Sequence, residues 1–263
     1  MPRGLGEKNM ATNLQNAISL YERGIRDGEV QEVLDNYMGP TYAQHSTGVR
    51  DGKEGFAEFF GDFLKRNPKR DIRVVRSFAD GDYVFLHVYQ SLNDGAARWV
   101  TTDVFRSDRE GRIVEHWDVI EEYREPALGM PDQVLGAFEV HDRDQTERNK
   151  AVVRRFLVEA MQNHEAGALG RHVAEGVVQH DPAIGQGRDA WADYLRRHDV
   201  AYDFVFKVLG SGDHVAAYSQ VLADGTAYAL FDLFRLEDGA IVEHWDNKEV
   251  VPSRMELANS GKF

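Results

Sequence analysis

Apolar residues recur every three to four positions in three stretches of the first half of the chain, and this spacing predicts helices. In the first stretch Leu14, Ile18 and Tyr21 fall on one stripe, and Gly28 stands where such a helix would end. The third stretch carries a run of phenylalanines and stops before Pro68. The predicted helices cover residues 11–27, about 33–37 and 53–66.

Strand-like segments follow these helices, with turn signals between them. A glycine closes a polar turn at residues 79–81, 93–95 and 109–111. The predicted strands cover about residues 70–78, 82–92, 97–107 and 111–123. Helices followed by a run of antiparallel strands indicate an α+β fold class.

The second half of the chain repeats this order, partly letter for letter. The hexapeptide Ile-Val-Glu-His-Trp-Asp occurs at residues 113–118 and again at 241–246, each time preceded by Asp-x-Phe-Arg. The predicted helices cover 147–162, 166–174 and 188–198, and the predicted strands about 202–210, 213–223, 226–236 and 239–251. We therefore expect a tandem duplication. Its parts are a first domain over 9–125, a linker over 126–146 and a second domain over 147–252, with a loosely held tail after Pro252.

Composition narrows the classes of function. The net charge of −13 gives the chain no electrostatic reason to bind nucleic acid or an anionic membrane surface. The sequence has no cysteine, which excludes disulfides, thiolate nucleophiles and cysteine zinc sites. The first residues contain no apolar run, and no segment approaches the length of a membrane span, so we expect a soluble, cytoplasmic protein.

The repeated hexapeptide divides into two faces if it is a strand. Side chains alternate along a strand, so His116, Asp118 and Ile120 share one face and Trp117 lies on the other. The second copy behaves in the same way. A His and an Asp two residues apart can therefore point into one cavity, while the tryptophans are expected to pack in the core.

The order of elements and three motifs resemble the SnoaL-like polyketide cyclase family, which has the nuclear transport factor 2-like fold. The motifs are Asp-x-Phe-Arg, the hexapeptide, and Gln-His before an Asp/Gly-rich loop at residues 44–45 and 179–180. The resemblance covers nearly the whole chain, once in each half. It implies two cone-shaped α+β domains, each enclosing a pocket between helices and a curved sheet. Relatives include cyclases, isomerases, dehydratases, epoxide hydrolases and non-catalytic binders, so the fold alone does not decide the function.

The resemblance also implies that a carboxylate at the Asp118 position acts as acid and base. The expected chemistry is proton abstraction beside a carbonyl followed by aldol ring closure, on a small hydrophobic substrate and without a cofactor. We expect burial to raise the pKa of Asp118 towards the working pH, and His116 to assist it. The catalytic candidates are Asp118, His116, Asp103, His45, Asp246 and His244. The substrate-binding candidates are Trp99, Thr101, His87, Tyr42, Tyr228, Asp232 and His180.

Several of these residues have structural alternatives. Asp103 could form an ion pair with Arg106, Glu115 could form a salt bridge, and His45 could cap a loop. Two alternative functions also stand. One is a non-catalytic protein that binds a small ligand, and the other is a metal-dependent enzyme with His45, His116 and Asp103 as ligands. Neither a Gly-rich phosphate loop nor Gly-x-Ser-x-Gly is present.

The two halves differ around the expected pocket. Alignment on Asp-x-Phe-Arg sets Thr101 against Leu230 and Thr102 against Phe231, which predicts a more apolar cavity in the second half. We therefore favour the first half as the functional one. Members of this fold pair as dimers, which implies an internal pseudo-dimer in a tandem chain, with a homodimer of the whole chain as a further expectation.

Overall fold

The computed structural model describes residues 3–263, and the chain forms two units. The first unit contains the chain up to Glu122 together with Pro252–Phe263, and the second contains Tyr123–Val251. We call Pro252–Phe263 the return segment, because it follows the last strand of the second unit and folds into the first. The expectation of a loosely held tail is wrong, since Gly261 and Lys262 of this segment are buried.

The first unit begins with helices and ends with four antiparallel strands. Its helices are α1 (Arg3–Ser19), which continues as a π-helix (Leu20–Arg26), α2 (Val30–Asn36) and α3 (Gly52–Arg66). Its strands are β1 (Met38–Gln44), β2 (Arg70–Asp80), β3 (Tyr83–Leu92), β4 (Ala97–Ser107) and β5 (Ile113–Glu122). A 3-10 turn (Arg254–Glu256) lies in the return segment.

The second unit has the same order of elements. A 3-10 turn (Arg143–Gln145) leads into α4 (Thr146–Phe156), which also continues as a π-helix (Leu157–Gln162), and α5 (Ala168–His172) and α6 (Arg188–Arg197) follow. The strands are β6 (Val173–Gln179), β7 (Ala201–Ser211), β8 (His214–Ala223), β9 (Thr226–Glu237) and β10 (Ala240–Val250). The predicted tandem α+β architecture is confirmed.

Each unit contains one five-stranded sheet. The strand orders are β1-β5-β4-β3-β2 and β6-β10-β9-β8-β7, and β1 and β6 run parallel to their neighbours while the other pairs are antiparallel. The hydrophobic pattern did not locate β1, which contains Gly39 and the exposed Pro40. Both residues weaken a strand signal, and proline is tolerated there because β1 lies at the sheet edge.

One face of each sheet packs against the helices. In the first unit Val84, Leu86 and Val88 alternate along β3 and join Leu20 and Phe56 in one buried cluster. In the second unit the corresponding cluster is built around Phe156, Trp191 and Phe234. Within residues 3–263, none of the helices is both long enough and apolar enough to cross a membrane.

Candidate functional site

A cavity of about 250 Å³ lies in the first unit between the helices and the inner face of the sheet. Its wall is mainly apolar, and much of it comes from four phenylalanines of helix α3 and a fifth on β4. At one end the wall is polar, and Asp103, His116 and Asp118 lie there together. The apolar residues of the wall are Leu20, Ile25, Val49, Phe56, Phe59, Phe60, Phe63, Leu92, Trp99, Phe105 and Ile120.

The strand register explains this clustering. Asp103 on β4 pairs directly with Asp118 on β5, and His116 lies two residues from Asp118 on the same face. The predicted alternation of the hexapeptide is therefore confirmed: His116, Asp118 and Ile120 line the cavity, whereas Trp117 does not.

A continuous chain of hydrogen bonds crosses the polar end. His116 Nδ1 lies 2.9 Å from Gln44 Oε1, and His116 Nε2 lies 2.8 Å from Asp103 Oδ1. The Tyr21 hydroxyl, which the π-helix supplies, donates to both oxygens of Asp103 at 2.9 Å. Neither Tyr21 nor Gln44 was among the candidate site residues, although Tyr21 was placed on the apolar stripe of the first helix and Gln44 belonged to the repeated Gln-His motif.

The protonation of His116 follows from its partners. Gln44 Oε1 accepts from the backbone amides of His45 and Ser46, both at 3.0 Å, so this oxygen can only accept from His116 as well. His116 therefore carries a proton on Nδ1. Its Nε2 and the facing Asp103 oxygen then share one further proton, as either an imidazolium–carboxylate pair or an imidazole–carboxylic acid pair.

The two carboxylates of the site differ in their affinity for protons. Burial raises the pKa of Asp103, and the hydrogen bonds and charge of His116 and the hydroxyl of Tyr21 offset this only in part. Burial acts to raise the pKa of Asp118 as well. The Lys262 ammonium, His116 and the Ser46 hydroxyl outweigh this effect, so the pKa of Asp118 is lowered. The expectation that burial would raise the pKa of Asp118 is therefore wrong, because it omitted a cation from outside the repeated motif.

His45 lies on the opposite face of the sheet from the cavity. Its ring stacks on Trp117 with centroids 4.9 Å apart, its Nδ1 lies 2.5 Å from Gly261 O and its Nε2 lies 3.1 Å from Glu115 Oε1. The position does not fit a catalytic role in this cavity, and the loop-holding alternative fits better. Glu115 forms the expected salt bridge, and its partner besides His45 is Arg106, which leaves Asp103 free of the Asp–Arg pairing that was considered.

The remaining substrate-binding candidates of the first unit also divide into residues that line the cavity and residues that do not. Trp99 lines the cavity. Thr101 and Tyr42 are buried behind the wall, where Thr101 contacts Tyr21 and Tyr42 accepts from Gln44. His87 faces away from the cavity, since it alternates with the core residue Val88, and it bonds Arg76 at 3.0 Å.

The second unit builds the same cluster from equivalent residues. His244 Nε2 lies 3.0 Å from Asp232 Oδ1 and His244 Nδ1 lies 2.8 Å from Gln179 Oε1. The hydroxyl that donates to Asp232 comes from Tyr202 on β7, at 3.0 Å to both oxygens, and not from the first helix. His180 repeats the arrangement of His45, with its ring stacked on Trp245 and its nitrogens at Asp132 O and Glu243.

The cavity beside this second cluster is nearly filled. Its volume is about 20 Å³, enough for one water molecule. Asp246, Tyr228 and Leu230 line it, and so does Lys248, which stands where the first unit has Ile120. Room for a ligand of several heavy atoms therefore exists beside the first cluster and not beside the second.

Both clusters have the composition of a metal site but differ from it in their bonding. Asp103, His116 and Asp118 offer ligand atoms within 4.8 Å of one another, as do the equivalent residues of the second unit. In the first unit His116 Nε2 is bonded to Asp103, and Lys262 Nζ lies 3.2 Å from Asp118 Oδ1. A divalent cation would have to displace this ammonium. The ligand set of the metal-dependent alternative is wrong in one member, since His45 lies on the other face.

The family model for the SnoaL-like domain matches the chain twice, at residues 19–116 and 153–244. No protein among those with curated descriptions matches the chain.

Several solved structures are similar to one unit of the chain. An NTF2-like protein of unknown function from Cytophaga hutchinsonii is 17% identical, with 43% of this chain and 95% of that chain covered and a TM-score of 0.35. IdmH from Streptomyces antibioticus, a proposed polyketide cyclase, is 19% identical over 39% of this chain and 92% of its own, with a TM-score of 0.34. A proposed polyketide cyclase from Acidithiobacillus ferrooxidans is 18% identical over 42% and 88%, with a TM-score of 0.38.

Proposed function

The chain belongs to the SnoaL-like domain family, once in each unit, and from this premise we propose that its first unit is a cyclase- or isomerase-type acid/base catalyst. The substrate class is a small hydrophobic carbonyl compound of polyketide type, and the reaction needs no cofactor. The observation that carries the proposal is the cavity of about 250 Å³ in the first unit, whose apolar wall ends at three ionisable side chains.

The apolar wall selects the substrate. Tilted and edge-on phenylalanines, such as the tilted pair Phe56 and Phe60 with centroids 4.3 Å apart, offer aromatic surface to a conjugated or aromatic molecule. Trp99 adds a further flat face to the same cavity. A molecule with one polar end would orient that end towards Asp118 and the His116–Asp103 pair, because this end of the cavity can hydrogen-bond its carbonyl oxygen.

The polar end supplies the two groups that enolisation needs. Asp118 is ionised at neutral pH, since its pKa is lowered, and its carboxylate takes the proton from the carbon beside the carbonyl. The C–H electron pair forms the enolate double bond, and the His116–Asp103 pair directs its shared proton to the developing oxyanion. In an isomerase the proton returns to another carbon. In a cyclase the enolate carbon attacks a second carbonyl and Asp118 returns the proton to the new alkoxide.

The second unit supports a different role for its cluster. The same His–Asp–Tyr hydrogen bonds occur there beside only about 20 Å³ of space. Asp246 and His244 are therefore proposed to support the fold of the second unit and not to turn over substrate.

Hydrogen–deuterium exchange tests this function without knowledge of the natural substrate. Hydrophobic aryl methyl ketones and 1,3-diketones are incubated with the protein in D₂O, and loss of the α-proton signal is followed by NMR. We expect Asp118→Asn to reduce the protein-dependent exchange by about 100-fold or more, the usual contribution of a general base. Asp246→Asn is the matched control and should exchange at the wild-type rate.

One observation favours a non-catalytic binder as the second candidate. The hydrogen-bonded cluster persists in the second unit, where a ligand has no room, so the cluster by itself does not require catalysis. A binder would take up the same ketones with an affinity independent of Asp118 ionisation, and would leave their α-protons unexchanged. That outcome would replace the catalytic proposal.

A further inference from the structure

The return segment brings a positive charge to the cluster of the first unit. Lys262 Nζ donates to the backbone carbonyl of Asp118 at 3.1 Å and to its carboxylate at 3.2 Å, and the lysine side chain is 2% exposed. Three further hydrogen bonds hold the segment in place. Asn259 donates its amide to the carbonyls of Ser46 and Val49, and Gly261 O meets His45 Nδ1.

The second unit also has a lysine near its cluster, which is half-buried and comes from a different place. Lys248 lies on β10, two residues after Asp246, and the carboxylates of Asp246 and Asp181 outweigh burial and raise its pKa. The equivalent position on β5 is Ile120, two residues after Asp118. In the second unit the ammonium therefore comes from the strand itself, and its side chain occupies the space beside the cluster.

In each unit, a segment outside the sheet contacts the histidine of the Gln-His motif. At this segment the lysine and the uncharged residue are exchanged between the units, relative to the strand position. Asp132 O bonds His180 Nδ1 at 2.6 Å, just as Gly261 O bonds His45 Nδ1 at 2.5 Å. The residue that follows is Lys262 in the first unit and the neutral Gln133 in the second, and both are buried. Each unit therefore has a lysine at one of two equivalent positions and an uncharged residue at the other. The first unit has Ile120 on the strand and Lys262 on the return segment. The second unit has Lys248 on the strand and Gln133 after Asp132.

We propose that Lys262 is a positioning residue of the first unit's site, which balances the charge of Asp118 from outside the cavity and so keeps the cavity open for a ligand. A buried carboxylate needs a partner, and a lysine at the strand position would provide one at the cost of the ligand space. The return segment supplies that partner as Lys262, which does not line the cavity. The charge balance and the open cavity follow from the contacts alone, and only the consequence for proton transfer rests on the proposed function.

The groups around Asp118 define what a change at position 262 would do. Asp103 on β4, His116 on β5, Tyr21 in the first helix and Tyr42 on β1 are the titratable groups whose charges couple to it. The tyrosines have pKa values raised well above their usual value and stay neutral. Without Lys262, only His116 and the Ser46 hydroxyl would offset the effects of burial and of the Asp103 charge on the pKa of Asp118.

The first experiment follows the carboxyl ¹³C signal of Asp118 with pH in the full-length chain, assigned by its loss in Asp118→Asn. We expect Asp118 to titrate below the ordinary range of an aspartate in wild type, and above it in Lys262→Met. Lys262→Arg should restore the low value, and Lys150→Met, which removes another buried lysine, should leave it unchanged. An Asp118 titration that is the same in Lys262→Met and wild type would overturn the proposal.

The second experiment copies the arrangement of the second unit into the first. In the double variant Ile120→Lys with Lys262→Gln, the lysine moves to the strand and glutamine takes its place on the return segment. The probe is N-phenyl-1-naphthylamine, a neutral dye that fluoresces in apolar cavities. We expect the double variant to unfold at a higher urea concentration than Lys262→Gln alone and to lose the dye signal. A double variant that is no more stable than Lys262→Gln, or that still binds the dye as wild type does, would overturn the proposal.

The exchange assay separates this proposal from the proposed function. If the first unit is a catalyst, the acid limb of its exchange rate should move to higher pH in Lys262→Met and return in Lys262→Arg. If no ketone exchanges in wild type, the proposed function fails, while the titration of Asp118 and the dye binding still decide the role of Lys262.

Discussion

The Tyr21 hydroxyl allows a quantitative test of the hydrogen-bonded cluster. Tyr21→Phe removes one O–H group and keeps the ring, which is 5% exposed and packs edge-on against Phe105 with centroids 6.4 Å apart. The hydroxyl donates to both oxygens of Asp103 at 2.9 Å. The variant therefore changes hydrogen bonding and leaves the packing of the cavity wall almost intact.

The expected cost follows from the type of bond. A hydrogen bond to a charged group contributes about 1.5–3 kcal/mol. Asp103 keeps His116 as a partner at 2.8 Å, so it is not left buried and unpaired, and the lower end of the range applies. We expect Tyr21→Phe to lower the free energy of unfolding of the first unit by about 1.5–2 kcal/mol. This corresponds to a change of roughly tenfold or more in the unfolding equilibrium constant.

Urea unfolding is the assay, and the second unit provides a matched control. Tyr202→Phe removes the same bond to Asp232, at 3.0 Å to both oxygens, from a strand and beside a nearly filled cavity. Both variants should lose similar stability, each in the transition of its own unit. Because Tyr21 also lowers the pKa of Asp103, its loss should raise that pKa further, in the direction set by burial. A loss below about 0.5 kcal/mol in both variants, the range of ordinary surface substitutions, would refute the hydrogen-bond argument.

Three further predictions follow from the geometry. Glu243 has a pKa lowered from 4.5 to about 2, against burial, by His180 and an arginine, so its stabilising effect is complete above pH 4.5 and is lost as the pH falls towards 2. Thermal unfolding of Glu243→Gln and wild type should therefore differ most above pH 4.5 and converge on acidification. Lys248→Ile should open the second cavity and add a binding site for N-phenyl-1-naphthylamine. The same change removes the strand cation beside Asp246 and should therefore lower the stability of the second unit. An unchanged number of dye molecules bound per chain would contradict the role assigned to Lys248. Phe60→Ala should enlarge the first cavity and improve the relative affinity for bulkier ketones, as measured by dye displacement, and an unaltered order of affinities would show that Phe60 does not limit ligand size.

Much of the fold and the centre of the site could be predicted from local pattern. Strand alternation placed His116, Asp118 and Ile120 on one face, because this period is a property of the backbone and needs no tertiary information. The turn glycines indicated the strand boundaries, and this signal is also a property of the local backbone. The failure to locate β1 has a local cause too, since a strand with Gly39 and Pro40 carries little periodic signal.

The residues that the pattern missed act over long distances along the chain. Lys262 meets Asp118 across 144 positions, and nothing in the composition of the return segment indicates a buried ammonium. His45 was proposed as a site residue because it belongs to the repeated Gln-His motif, yet Gln44 bonds His116 on one face while His45 stacks on Trp117 on the other. Adjacent residues of a strand end point in opposite directions, so sequence proximity misassigned this histidine.

The difference between the units lies beside the repeated motif and not within it. The hexapeptide is identical in both, and it produces the same His–Asp bond in both. If that cluster alone determined activity, both units would be equipped for it. Lys248 lines the cavity of about 20 Å³ at the position, two residues beyond the cluster, where Ile120 lines the cavity of about 250 Å³. Asp118 is buried, and the cation that balances it comes from another part of the chain, because the return segment supplies Lys262. Under the proposed role of Lys262, ligand capacity in this protein depends on where the balancing lysine originates, and a search for active relatives should follow that lysine and not the hexapeptide.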